Sequence, residues 1–362
     1  MVKSAYIHIP FCKSKCYYCS FVSFTELGMK QDYLDALEKE TEFYYDGDVL
    51  STLYIGGGTP STLEIKDFQR IIKPFKLSDK AEITTELNPD DVDYDYLRAL
   101  YDMGINRLSF GCQTFDDDIL KAINRRHTGS QVIKAVEESR AAGFGNISLD
   151  FIYGLPEQTT EIFINDLKKV AEIDAPHISL YGLTLDKGSY FYENGYPDPD
   201  EDEQADMYLK ALETLSDLGY EHYEVSNFAK PGYYSRHNMN YWDNEEYYGF
   251  GCAAHGYKNR VRYGNKITLK EYIANPIEKE SEKFITDSER LEEEIFLGFR
   301  KMSGVNVQNI NNKYNIDFEE KYNDILKRYE GLNLLEKTDK GYKLTPNGVL
   351  VSNTILAEFL EG

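Results

Sequence analysis

Basic residues are scarce: 40 Lys and Arg face 62 Asp and Glu, a formal net charge of −22. A chain this acidic repels a phosphate backbone, so nucleic acid is excluded as an expected partner. No apolar run approaches the ~18 residues a spanning helix needs. A basic amphipathic membrane anchor of the usual kind is also missing. The first eleven residues, MVKSAYIHIPF, are too short for a signal peptide and carry no cleavage-site pattern. The expectation is a cytoplasmic chain, at most peripheral at a membrane. Tryptophan is nearly absent, with Trp242 alone. Cysteine is sparse and odd in number, five in all, which argues against a disulfide scaffold.

What is present is regular alternation. Strand-like runs at Ala5–Ile9, Thr52–Ile55, Glu82–Leu87, Arg107–Phe110, Ile147–Ile152 and Ile178–Leu183 are separated by periodic, charged stretches. Six strands alternating with helices predict βαβ units and a parallel sheet, open or barrel-like. Asp91 and Ser130 read as helix N-caps, and Gly104 and Gly143 as C-terminal stops. After Leu183 the pattern breaks into an acidic loop, an amphipathic helix over Glu201–Leu218, and mixed short strands and turns with one helix to about Thr286. Beyond it, helix, helix, hairpin and helix resemble a winged helix. With 10 basic and 14 acidic residues from Asp287 on, a DNA-binding role fails on charge. The expected units are 1–185, 186–286 and 287–362.

Cys12, Cys16 and Cys19 follow the first strand in a C-x3-C-x2-C loop. Three thiolates on one compact turn can hold three irons of a 4Fe–4S cubane and leave the fourth open to a small molecule. Phe11, Tyr17 and Tyr18 stand ready to shield it. The competing reading is a zinc knuckle completed by His8. Gly56–Gly58 follow the second strand, where the lack of Cβ atoms lets backbone approach a ligand. With the cysteine loop, Glu86 and Gln113, they fall at the ends of four successive strands, where parallel α/β folds collect ligands. Asp150 lies within the fifth strand and requires a partner at that depth, such as Arg125 or a ligand hydroxyl. In the downstream segment, His237 and Tyr241 share a face if the segment is helical. Haem iron accepts His, Cys, Met or Tyr, and Trp242 offers a stacking surface. Cys252 and His255 are the next candidate ligands.

C-x3-C-x2-C with an aromatic before the third cysteine resembles the signature of the radical S-adenosylmethionine (SAM) enzymes. YIHIPFC at Tyr6–Cys12, GGGTPS at Gly56–Ser61, QTF at Gln113–Phe115 and DFIYGLP at Asp150–Pro156 narrow the likeness. It is to the oxygen-independent coproporphyrinogen III oxidase family, almost end to end. The chain most resembles that family's haem-chaperone branch. The true oxidases carry a fourth cysteine where this chain has Phe21, and His237–Trp242 match the branch's HNxxYW motif. The resemblance implies a partial (β/α)6 radical-SAM barrel with a small α+β extension and a helical, winged-helix-like C-terminal module. It implies a 4Fe–4S cluster on Cys12, Cys16 and Cys19, and SAM contacts from Tyr6, Tyr18, Gly57 and Glu86. Gly58, Thr59, Gln113, Arg125 and Asp150 would face a second SAM. Haem enters as cargo, with His237, Asn238, Tyr241 and Trp242 as candidate contacts. The expected partners are haem-accepting proteins, membrane-bound respiratory enzymes among them, through which any membrane contact would run; a homodimer is left open. The alternatives are SAM-dependent oxidative decarboxylation of coproporphyrinogen III and a zinc-stabilised binding module without redox chemistry.

Overall fold

In the first strand, β1 (Ser4–Ile9), Ala5, Ile7 and Ile9 are fully buried and alternate with Tyr6 and His8. Successive side chains of a strand face opposite ways, so the aliphatic set meets the helices and the polar aromatics face the barrel interior. The same logic carries through α1 (Lys30–Tyr44), β2 (Val49–Gly57), α2 (Ile65–Ile72), β3 (Lys76–Leu87), α3 (Tyr94–Asp102) and β4 (Arg107–Gln113). It continues through α4 (Asp117–Ala122), α5 (Gly129–Ala142), β5 (Asn146–Tyr153), α6 (Thr160–Glu172) and β6 (His177–Gly182). The computed structural model describes residues 1–360.

Strands β1 to β6 pair in order, all parallel. Residues 186–286 do not build a separate sheet. After α7 (Tyr190–Glu193) and α8 (Glu201–Asp217), β7 (Glu221–Glu224) and β8 (Asn227–Ala229) extend the β6 edge antiparallel. After α9 (Arg236–Trp242), β9 (Tyr247–Phe250) joins the other edge parallel to β1. Then β10 (His255–Lys258), β11 (Val261–Asn265), α10 (Leu269–Ala274) and β12 (Lys279–Phe284) complete a twelve-stranded sheet that runs from β12 to β7. This is the expected partial barrel, lengthened at both edges.

The C-terminal part opens with α11 (Asp287–Gly298), and its core, including Leu291, Ile295, Phe299, Phe318, Ile355 and Phe359, also takes in Tyr208 of α8. A small three-stranded antiparallel sheet sits among its helices. It is tied to the barrel by backbone bonds from Val225 N to Arg300 O at 2.9 Å and from Met302 N to Tyr223 O at 3.1 Å.

Local details correct the sequence reading. The N-caps of α3 and α5 are Asp93 and Thr128, not Asp91 and Ser130. Asp93 accepts from Tyr96 N, and Thr128 forms a reciprocal capping box with Gln131 that Ser130 is placed too late to make. Gly143 does close α5, at φ +115°. Residues 220–286 contain two helices, α9 and α10, where one is expected from sequence.

Candidate active site and the groove beside the HNxxYW helix

The cysteine loop is pinned from both sides. Cys12 N donates to Phe24 O at 3.0 Å, and Phe24 N donates to Pro10 O at 2.7 Å. Tyr17 N donates to Ile123 O at 3.1 Å, and the Asn124 side chain donates to Lys15 O at 2.8 Å. Tyr17 stacks on Tyr190 at 4.2 Å between centroids. Cys12, Cys16, Tyr18 and Cys19 line one cavity of about 430 Å³ with Gly57, Gly58, Thr59, Glu86, Gln113, Arg125 and Asp150. Residues from Cys12 to Asp150 converge because the parallel register brings all these strand ends to one rim.

Two thiols are already addressed by donors. Thr59 Oγ1 lies 3.3 Å from Cys12 Sγ, and Arg125 Nη1 lies 3.5 Å from Cys16 Sγ. Burial pushes the Cys19 thiol up to about 11 and raises that of Cys12 as well. A bound metal reverses this, since thiolates are its ligands. Glu86 accepts from Gly57 N at 2.9 Å and from the Tyr54 hydroxyl at 2.8 Å. Burial nonetheless lifts its carboxyl to about 7. Gly57 has φ +116°, and a Cβ there would stand 2.6 Å from the His8 ring. Any other residue would be strained and would close the cradle.

Asp150 does not pair with Arg125. Its carboxylate accepts from Ser109 Oγ at 3.0 and 3.2 Å and from Ser148 Oγ at 3.3 Å. Arg125 instead donates from Nη2 to Asn88 Oδ1 at 2.9 Å, and its buried Nε has no partner. Asn88, Ser109 and Tyr181 line the cavity too. Asn88 and Ser109 had no sequence signal beyond closeness to strand ends. Tyr6 lies beneath the cavity, its hydroxyl 2.9 Å from His8 Nδ1. His8 also donates from Nε2 to Val22 O at 2.9 Å. With both nitrogens engaged, it does not complete a zinc site with the cysteines.

The HNxxYW segment is helix α9, at the opposite end of the barrel. Glu82 accepts from the Arg236 and His237 amides at 3.2 and 3.0 Å, a carboxylate at a helix N-terminus. His237 is 1% exposed. Thr52 gives its one hydroxyl proton to Ser4 at 2.9 Å, so it accepts from His237 Nδ1 at 2.9 Å. Nε2 is then the acceptor for the Tyr241 hydroxyl at 2.8 Å. Burial, with the Arg107 charge second, drives the imidazole down to about 3. Its ring stacks on Tyr54, the residue bonded to Glu86. Asn238 helps close the helix start, its amide donating to Ser235 Oγ at 3.3 Å. Tyr241 and Trp242 do reach a surface: they line a groove of about 670 Å³ against α11 and β12. His237 and Asn238 do not line it. Cys252 is buried and His255 is exposed on β10, both away from the groove.

Residues 6–170 match the model of the radical SAM superfamily, and residues 285–351 match the HemN C-terminal domain. The Heme chaperone HemW of Lactococcus lactis subsp. lactis is 40% identical over 99% of this chain and 97% of that relative. The chain belongs to the Heme chaperone HemW family of radical SAM proteins. The HemW of Bacillus subtilis is 38% identical, over 99% of both chains. A solved structure described as "Coproporphyrinogen III oxidase (HemN) from Escherichia coli is a Radical SAM enzyme" superposes with TM-score 0.86 at 24% identity. It covers 99% of this chain and 90% of that one, and shares the fold. Superfamily membership implies a 4Fe–4S cluster and SAM. The donor set fits them: three cysteines, a glycine run and Arg125, whose buried Nε has no partner, line one cavity. Among the described residues, no helix is long and apolar enough to cross a membrane.

Proposed function

We propose that this chain is a haem chaperone: it binds haem and passes it to acceptor proteins, membrane-bound respiratory enzymes among them. The observation that carries the reading is end-to-end likeness, at 40% identity, to a relative named Heme chaperone HemW. Phe21 supports the choice of branch. It stands 69% exposed at the cavity rim, where the true oxidases, by the sequence resemblance, place a thiol. Cys12, Cys16 and Cys19 would hold the cluster, which supplies electrons to a bound SAM. Gly57 and Glu86 would cradle the SAM on the open iron, with Thr59 and Arg125 stabilising charge on the sulfurs. Gln113, Arg125 and Asp150 would serve a second SAM. Haem would lie in the groove beside Trp242, which α9, β9, β11 and β12 form together with α11.

The test pairs two anaerobic assays. Haem titration should quench the emission of Trp242, the sole tryptophan, saturably at about one haem per chain, and loaded protein should pass haem to an apo-haemoprotein. Incubation with coproporphyrinogen III, SAM and reductant should yield no product. Multiple turnovers to protoporphyrinogen IX would overturn the reading in favour of the oxidase.

A further inference from the structure

The groove beside α9 holds more than an aromatic wall. Trp242, Tyr247, Phe296 and Leu297 line it, together with the cations Arg262 and Lys283. Its volume, about 670 Å³, lies in the range of sites that enclose organic ligands. Of the side chains that ligate haem iron, only Tyr241 and Tyr247 occur among its described lining residues. The Tyr241 hydroxyl is committed to His237, deep under the barrel. The Tyr247 phenol is engaged instead by Arg262, another residue of the groove. Tyr247 is half-buried, and it meets Tyr241 edge-on at 4.6 Å.

Arg262 is the second observation. Its guanidinium is locked in place by Glu293, at 2.5 Å from Nε and 2.9 Å from Nη2, by Asn244 Oδ1 at 2.9 Å, and by the Tyr257 ring beneath it. Burial raises the Tyr247 phenol, and the Arg262 charge is the largest influence opposing that rise. Glu293, paired with that guanidinium, adds to the rise, so the free phenol stays protonated; iron coordination, with the Arg262 charge alongside, draws off its proton.

We propose that Tyr247 is the axial ligand of ferric haem in this groove, with Arg262 as the positioning residue that stabilises its phenolate. The inference rests on the haem-chaperone reading and names its ligand. On binding, the phenolic proton leaves to water, the iron–oxygen bond forms, the iron's axial water is displaced, and the iron stays ferric. Trp242 lies against the macrocycle. Glu245, Glu289, Glu292 and Glu293 also line the groove. Their charge turns the two haem propionates outward, toward solvent.

Titration of full-length protein with haemin, followed by absorption and electron paramagnetic resonance, tests this. Wild-type protein should give the spectrum of a phenolate-ligated ferric haem. Tyr247→Phe keeps the ring contact with Tyr241 and should lose that spectrum with an affinity loss of at least about tenfold. Tyr247→His should regain binding with a nitrogen-ligated spectrum. Arg262→Gln should raise the pH at which the phenolate spectrum develops. Equal iron–sulfur content in all variants establishes that they fold. Wild-type affinity and spectrum in Tyr247→Phe would overturn the ligand assignment and leave the chaperone reading standing. A wild-type protein that takes up no haem would overturn both.

Discussion

His237→Ala should cost stability by an amount that depends on pH. The side chain is buried, accepts from Tyr241, donates to Thr52 and stacks on Tyr54. Its loss leaves the Tyr241 hydroxyl without its acceptor and opens a void, together about 3 kcal/mol near pH 7.5. The folded-state pKa of about 3 lies below the unfolded value of about 6.5. Between those values the unfolded chain binds the extra proton, so the native contribution is complete above about 6.5 and lost as pH falls. At about pH 5 the gap is roughly 1.5 units, or about 2 kcal/mol. Urea unfolding of both proteins at about pH 7.5 and 5, followed by far-UV circular dichroism, should show their difference shrink from about 3 to about 1 kcal/mol. Buried carboxylates whose pKa values are raised, such as Glu86 and Glu224, act with the opposite sign but cancel in that difference. A difference independent of pH would refute the neutral, doubly bonded imidazole.

Cys12→Ala, Cys16→Ala or Cys19→Ala should each abolish cluster content by iron and sulfide analysis, because two thiolates do not fix a cubane. Cys112→Ala and Cys252→Ala should retain it, since both residues lie buried outside the cavity. Glu86→Gln removes the charge that accepts from Gly57 N and Tyr54. It should weaken SAM binding roughly 10- to 100-fold by calorimetry, with iron content unchanged. Lys279→Met strips the buried Glu40 of its cation partner at 2.8 Å and should lower unfolding stability by about 3–5 kcal/mol. The double variant with Glu40→Gln should recover part of that loss.

The βαβ alternation, the cysteine loop, the glycine run and the family are legible in the residue order alone. These signals are local: a strand's apolar period, a fixed cysteine spacing, three adjacent glycines. Residue order also placed Glu86 and Gln113 at strand ends, because strand order in a parallel sheet follows from short crossovers. It did not determine partners that depend on register. Asp150 was expected to take a partner such as Arg125 or a ligand hydroxyl, and β4 and β5 align Ser109 with Ser148 beside it. Those hydroxyls satisfy the carboxylate, and Arg125 is drawn to Asn88 and Cys16. Nor did it show that the HNxxYW helix sits under the barrel. Only the long return of residues 186–286 to both sheet edges puts Thr52 and Glu82 against His237. That packing buries the motif's histidine and leaves Tyr241, Trp242 and the unheralded Tyr247 to line the groove. Burial and long-range register are properties of the assembled sheet, and no local pattern encodes them.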